Sequence, residues 1–137
     1  MLAQFLVGGA VSACNIAIHA FVMTVVVRSA VATSKRHRRW PAWGLAAVMI
    51  VTVLVLMAAH TAEVMVWAMA YRIVGATAAG TNLVYFAFVN YTTLGYGDVV
   101  PVAQWQLLGP TAAMNGILLF GWSTAVIFEV LRKAVGK

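Results

Sequence analysis

Gly95 and Gly97 stand one residue apart in the run Asn90-Tyr91-Thr92-Thr93-Leu94-Gly95-Tyr96-Gly97-Asp98. Their spacing matters to backbone chemistry. Successive carbonyls can face one axis only if the chain alternates between conformations forbidden to most L-residues, and glycine permits that alternation. A row of such carbonyls can replace the water around a dehydrated cation. Thr93 would add a hydroxyl at one end of the row, and Asp98 an acid just beyond the other.

A second group of reactive side chains is the pair His60 and Glu63, three residues apart and therefore on one face of a helix. Inside an apolar run, such a pair is a candidate for sensing pH, because histidine titrates in the physiological range. A satisfied interfacial pair is the plainer alternative. Ser12, Asn15 and His19 form a polar stripe, and Gly9, Ala13 and Ala17 a stripe of small residues. Both suit helix packing through close approach and interhelical hydrogen bonds. With three histidines in the chain and no recurring ligand spacing, a metal centre is not expected. No nucleophile–base pair or phosphate loop is visible, so neither an enzyme nor an organic cofactor is expected.

The elements that position these groups follow from composition. Of 137 residues, 64% are hydrophobic and 9% charged, against about 25% charged in a soluble domain. A chain this short cannot hide so much apolar surface from water, so a lipid bilayer is the expected solvent. The first apolar run covers Leu2 to Val27, the second Trp43 to about Val74, and the last Trp105 to Leu131. At about 1.5 Å per residue, each can cross a hydrocarbon core of about 30 Å. The first is too long for a signal peptide and has no basic residue before it. Val11-Ser12-Ala13-Cys14 has the form of a lipoprotein cleavage box, yet the apolar stretch continues well past it. Between the second and third runs, Thr81 to Thr92 is helical in character but too short to span, and Thr81 can cap its start. Thr93 to Pro101, with its glycines, aspartate and proline, cannot be regular helix.

Charge sets the expected orientation. Five of nine Lys and Arg residues fall between Arg28 and Arg39, and Arg132, Lys133 and Lys137 close the chain. Basic residues flanking apolar runs mark the cytoplasmic side, not a nucleic-acid surface. The N-terminus is therefore expected outside and the C-terminus inside, in a multi-pass protein of the cell membrane. The short segment then dips in from outside and returns. Arg72 alone breaks the clustering. The Arg28–Arg39 loop is also placed to meet anionic lipid headgroups. Cys14 is the sole cysteine, so no intrachain disulfide can form.

The run Thr93-Leu94-Gly95-Tyr96-Gly97-Asp98 resembles the selectivity-filter signature of the potassium-channel pore-domain family, with Leu94 in a position usually held by Val. The resemblance extends over residues 43–132, and the first helix has no counterpart in the minimal two-span members. It implies an all-α membrane protein with three transmembrane helices and a re-entrant pore helix, four copies surrounding one axis. Residues 1–39 would supply the extra helix and basic cytoplasmic loop, and 40–137 the pore domain. K+ would be held by carbonyls of Thr93, Leu94, Gly95 and Tyr96, with the Leu94 and Tyr96 side chains packed behind. Asp98 would bond behind the filter. The acid that some bacterial members carry in the pore helix is Val89 here, and Tyr85 stands where many have Trp, so the Tyr85 hydroxyl is a candidate partner for Asp98.

In this family the final helix lines the cavity and its lower end closes the pore. On an ideal helix Ile117, Phe120, Thr124 and Phe128 fall within a sector of about 80°. Phe128 is the lowest and can form a dewetted constriction, with Gly116 or Gly121 as a bend above it. The expected function is passive K+ conduction by a homotetramer. A poorly selective cation channel and a non-conducting membrane scaffold or accessory subunit are the alternatives. No run of regularly spaced arginines lies within a span, so a voltage sensor of the usual kind is not expected.

Overall fold

The computed structural model describes residues 1–36 and 42–135. Helix α1 runs from Leu2 to Arg36, α2 from Ala42 to Val74, the short α3 from Leu83 to Tyr91, and α4 from Leu108 to Val135, preceded by a 3-10 turn at Ala103–Trp105. Three segments are long and apolar enough to cross a membrane: Leu2–Thr33, Ala42–Val74 and Ala103–Val135. The protein is therefore an all-α, multi-pass membrane protein with a fourth, non-spanning helix.

The first helix continues through Arg28, where the basic segment was expected to be loop. Residues 28–36 contain neither Gly nor Pro, so nothing stops the helix. Thr33 also bonds back to the Ser29 carbonyl at 2.8 Å. His37, Arg38, Arg39 and Trp40 lie outside the described residues, as does Lys137. The second helix ends by glycine geometry. Gly75 adopts φ +62°, and the Ala76 amide reaches back to the Tyr71 carbonyl at 3.0 Å, which satisfies a carbonyl left free at the helix end. The cap of α3 is Asn82, whose side chain accepts from the Tyr85 amide at 3.1 Å. Thr81, the expected cap, instead bonds its hydroxyl to the Ala78 carbonyl.

Helices α1 and α4 run parallel and in register. Gln4 accepts from the Leu107 amide at 2.8 Å, Gly8 lies against Thr111, and Asn15 bonds Asn115 at 3.1 Å. Helix α2 runs the other way and packs against both, so Glu63 meets Asn15 and His19. Arg28, Arg132 and Lys133 consequently share one end of the bundle, and α3 occupies the opposite half. At the basic end Glu129 takes two 2.8 Å bonds from Arg132.

The interior has two apolar parts. One, in the half holding α3, is built on Trp67, Tyr71, Phe86, Ala87, Tyr91, Leu108 and Ala112. The other, toward the basic end, joins Met23, Leu56, Val126 and Val130. Between them lies a layer of buried polar side chains: Asn15, His19, Glu63, Asn115 and Ser123. Large apolar residues such as Phe5, Phe21, Leu54, Met57 and Leu118 remain exposed on the outer faces. Lipid requires no burial of such groups.

Candidate ion pathway and the polar layer behind it

After α3 the backbone leaves helical geometry abruptly. Thr92 is still right-handed, with φ −83° and ψ −1°. Thr93, Gly95 and Gly97 then take φ +62°, +59° and +76°. Every second residue is thus left-handed, and the two glycines occupy two of the three positions where a side chain would be strained. Thr93 is the third. A β-branched residue there is a genuine outlier, and nothing in its residue type announces it. Outliers of this kind persist only where surrounding structure over-determines them.

That structure is the end of α3. The Val89 carbonyl accepts from the Leu94 amide at 2.9 Å, and the Asn90 carbonyl from the Thr93 amide at 3.0 Å. Val89 itself is buried. On the far side, the Tyr85 hydroxyl donates to Asp98 at 2.7 Å, clipping the exit of the glycine-containing run to the first turn of α3. Val102 is tied to the Ala76 carbonyl at 2.9 Å. The run 92–98 has its two ends fastened, while its residues stay exposed in the single chain.

Helix α3 is in turn fixed from below. Gly116 of α4 packs directly under the Tyr91 carbonyl, leaving no room for a Cβ. Gly109 approaches Asn90, where a Cβ would meet the side-chain oxygen at 3.2 Å. The Tyr91 hydroxyl donates to the Glu63 carboxylate. Glu63 is fully buried and also meets His19 Nδ1 at 2.8 Å and His60 Nδ1 at 2.9 Å. The second ring nitrogens of both histidines face Ser123 Oγ, at 2.9 Å from His60 and 3.4 Å from His19. Asn15 donates to the Glu63 carbonyl at 3.2 Å and to Asn115, whose side-chain oxygen also accepts from the Trp67 indole at 3.1 Å. All four helices enter this layer. An acid at membrane depth costs about 2.5–3.5 kcal/mol on insertion scales, and here three side chains surround it.

Residues 50–133 match the family described as "Ion channel". The chain belongs to this ion-channel family. The match begins inside α2 and ends near the close of α4, so it takes in α3, the glycine-containing run and the helix after it. Helix α1 lies before it. No curated protein and no solved structure matches the chain.

Within this channel subunit, the residues singled out by sequence fall into separate environments. Ile117, Thr124 and Phe128 lie exposed on one side of α4, away from α1, α2 and α3. Phe120 shares that side, but its ring rests against His60 and Tyr91, with centroids 4.6 and 5.4 Å away. Gly121 has open space around it, whereas Gly116 has none. Leu94 and Tyr96 project exposed side chains. In the small-residue stripe, Gly9, Ala13 and Ala17 are exposed, and Gly8 is the glycine in close helix contact.

The linkage between His60–Glu63 and His19 was not foreseeable from spacing, because the two parts lie 44 positions apart. A polar residue in each apolar run was the available signal. Tyr91, Asn115 and Ser123 carried no signal beyond that.

Proposed function

We propose that the channel conducts K+ selectively and passively, as a homotetramer with its N-terminus outside and its C-terminus in the cytoplasm. The left-handed backbone at Thr93, Gly95 and Gly97 carries this reading. It recurs at alternate residues of a sequence that resembles the potassium-channel signature, at the end of a helix too short to span. Four copies would present rings of carbonyls from Thr93, Leu94, Gly95 and Tyr96, which replace the hydration of K+. Exposure of these residues in one chain supports assembly around an axis. The C-terminal end of α3 would turn its partial negative charge toward the ion path.

Leu94 in place of Val changes what packs behind the carbonyls and leaves the carbonyls themselves in number. Asp98 and Tyr85 hold the outer end. The apolar side of α4 bearing Ile117, Thr124 and Phe128 would line the cavity, with Phe128 as the narrowest ring. The shared basic end of α1 and α4 supports the cytoplasmic assignment and would favour anionic lipid there.

Planar-bilayer recordings of purified protein under mixed K+ and Na+ test the proposal. A reversal potential that follows the K+ gradient is expected. Equal permeability to both ions would favour the poorly selective cation channel, and silence from correctly assembled protein the non-conducting subunit.

A further inference from the structure

We propose that His19, Glu63 and His60 form a binding site for a divalent transition-metal ion of the Zn2+ class, joining α1 to α2 beside the base of α3. Their candidate ligand atoms all lie within 4.8 Å of one another. Two imidazoles and a carboxylate are a common protein ligand set for Zn2+ with an open position left over. Hard ions such as Mg2+ and Ca2+ prefer all-oxygen sites, so the two nitrogens select against them.

The contacts now present are close to that geometry. His19 Nδ1 and His60 Nδ1 stand 2.8 and 2.9 Å from the two carboxylate oxygens. Around a tetrahedral ion with bonds of about 2.0–2.1 Å, neighbouring ligand atoms sit about 3.3 Å apart. Each ring therefore has to withdraw by roughly half an ångström from its oxygen to admit the ion, a change within reach of side-chain torsions.

The surroundings suit ligation as well. A ligating histidine holds its ring by donating through its other nitrogen to an oxygen, which also fixes the tautomer. Both Nε2 atoms here converge on Ser123 Oγ. The Tyr91 hydroxyl already donates to the carboxylate, as an outer partner of a ligating acid does. His19 and Glu63 have no exposed side-chain surface, and His60 retains 14%, so one ligand offers an approach to an otherwise buried site.

The buried acid favours an added cation. Six contacts link the two rings, Glu63, Tyr91 and Ser123, among them His60 Nδ1 to the Tyr91 hydroxyl at 3.0 Å. An ionised Glu63, itself fully buried, would place a negative charge inside this cluster. No Lys or Arg pairs with Glu63 among the described residues. A buried charge of this kind calls for a partner or a metal. A divalent ion between the two Nδ1 atoms and the carboxylate supplies the opposing charge.

The test uses full-length purified protein carrying Cys14→Ser, so that the exposed thiol does not compete. Zn2+ titration by calorimetry should give one site per chain, and Co2+ should develop visible ligand-field absorption of a nitrogen- and oxygen-ligated centre. His19→Gln and Glu63→Gln should each abolish both signals, and Ser123→Ala should weaken Zn2+ binding by about 10–100-fold. His37→Gln should leave binding unchanged. If either ligand variant fails to fold, His60→Gln, at the partly open corner, provides the same readout. Absence of a Zn2+ site in the folded parent overturns the proposal, and so does a folded His19→Gln or His60→Gln protein that binds Zn2+ as tightly as the parent.

Discussion

Gly116 of α4 lies directly beneath the backbone carbonyl of Tyr91, the last residue of α3. Any side chain at 116 would push against backbone, which cannot swing aside as a side chain can. The contact sets the height of α3 on α4, and with it the position of the run that begins at Thr92.

Gly116→Ala should therefore lower stability and abolish conduction. Overpacking in a well-packed interior costs about 1–3 kcal/mol, and an unyielding backbone neighbour puts this site at the upper end. Thermal unfolding in detergent and K+ flux in liposomes measure the two effects. A stable, conducting Gly116→Ala protein would refute the assigned contact.

Gly121→Ala should behave in the opposite way. A Cβ at 121 meets nothing within 4 Å, and Ala favours helix over Gly by about 0.8–1.0 kcal/mol. The variant should fold at least as well as the parent. If α4 bends at Gly121 to open, its open probability should fall in single-channel records, and unchanged gating would move the bend elsewhere.

Gly95→Ala should remove discrimination of K+ from Na+. At φ +59° an L-side chain costs about 1–2 kcal/mol, and the strain would recur in each of four proposed copies. The predicted result is a folded protein without selective flux. Retained selectivity would mean that the carbonyls tolerate other backbone angles.

Tyr85→Phe removes the hydroxyl that holds Asp98 while keeping the ring on α3. Currents should decay faster during sustained recording, with the helical fold unchanged by circular dichroism. Decay rates matching the parent would show that the bond is not needed to keep the outer end open.

Phe128→Ala should raise resting open probability and leave ion selectivity intact, because Phe128 lies on α4 about three helical turns beyond Gly116 and far from residues 93–97. A variant as closed as the parent would move the gate away from Phe128, with residues 93–97 the next place to test.

What could be read from sequence was what is local in sequence. The run Thr93–Asp98 is contiguous, so its departure from helix follows from its own glycines, and Tyr85 lies one short helix away from Asp98. The three apolar runs foretell three spans for the same reason. The layer around Glu63 is different in kind. Its members sit at 15, 19, 60, 91, 115 and 123, and which faces which depends on the register of α1 against α4 and of α2 against both. Register is a property of packed surfaces, so His19 read alone was one residue of a polar stripe. Gly116 shows the same limit, since a glycine in a helix reads alike as a bend or as a close approach. The positive φ at Thr93 accompanies hydrogen bonds from the Thr93 and Leu94 amides to the Asn90 and Val89 carbonyls, and threonine itself does not announce it.

The order of synthesis gives the buried acid a further meaning. Helix α1 precedes α2 in the chain, so Asn15 and His19 can enter the membrane before Glu63 does. Glu63 comes with His60 on its own helix, and His19 supplies the second imidazole. Tyr91 arrives next, and Asn115 and Ser123 close the set only when α4 is complete. Each new segment meets a polar group left by an earlier one. On this order α1 would receive α2, and removal of α1 should lower the yield of membrane-inserted protein before any ion has passed.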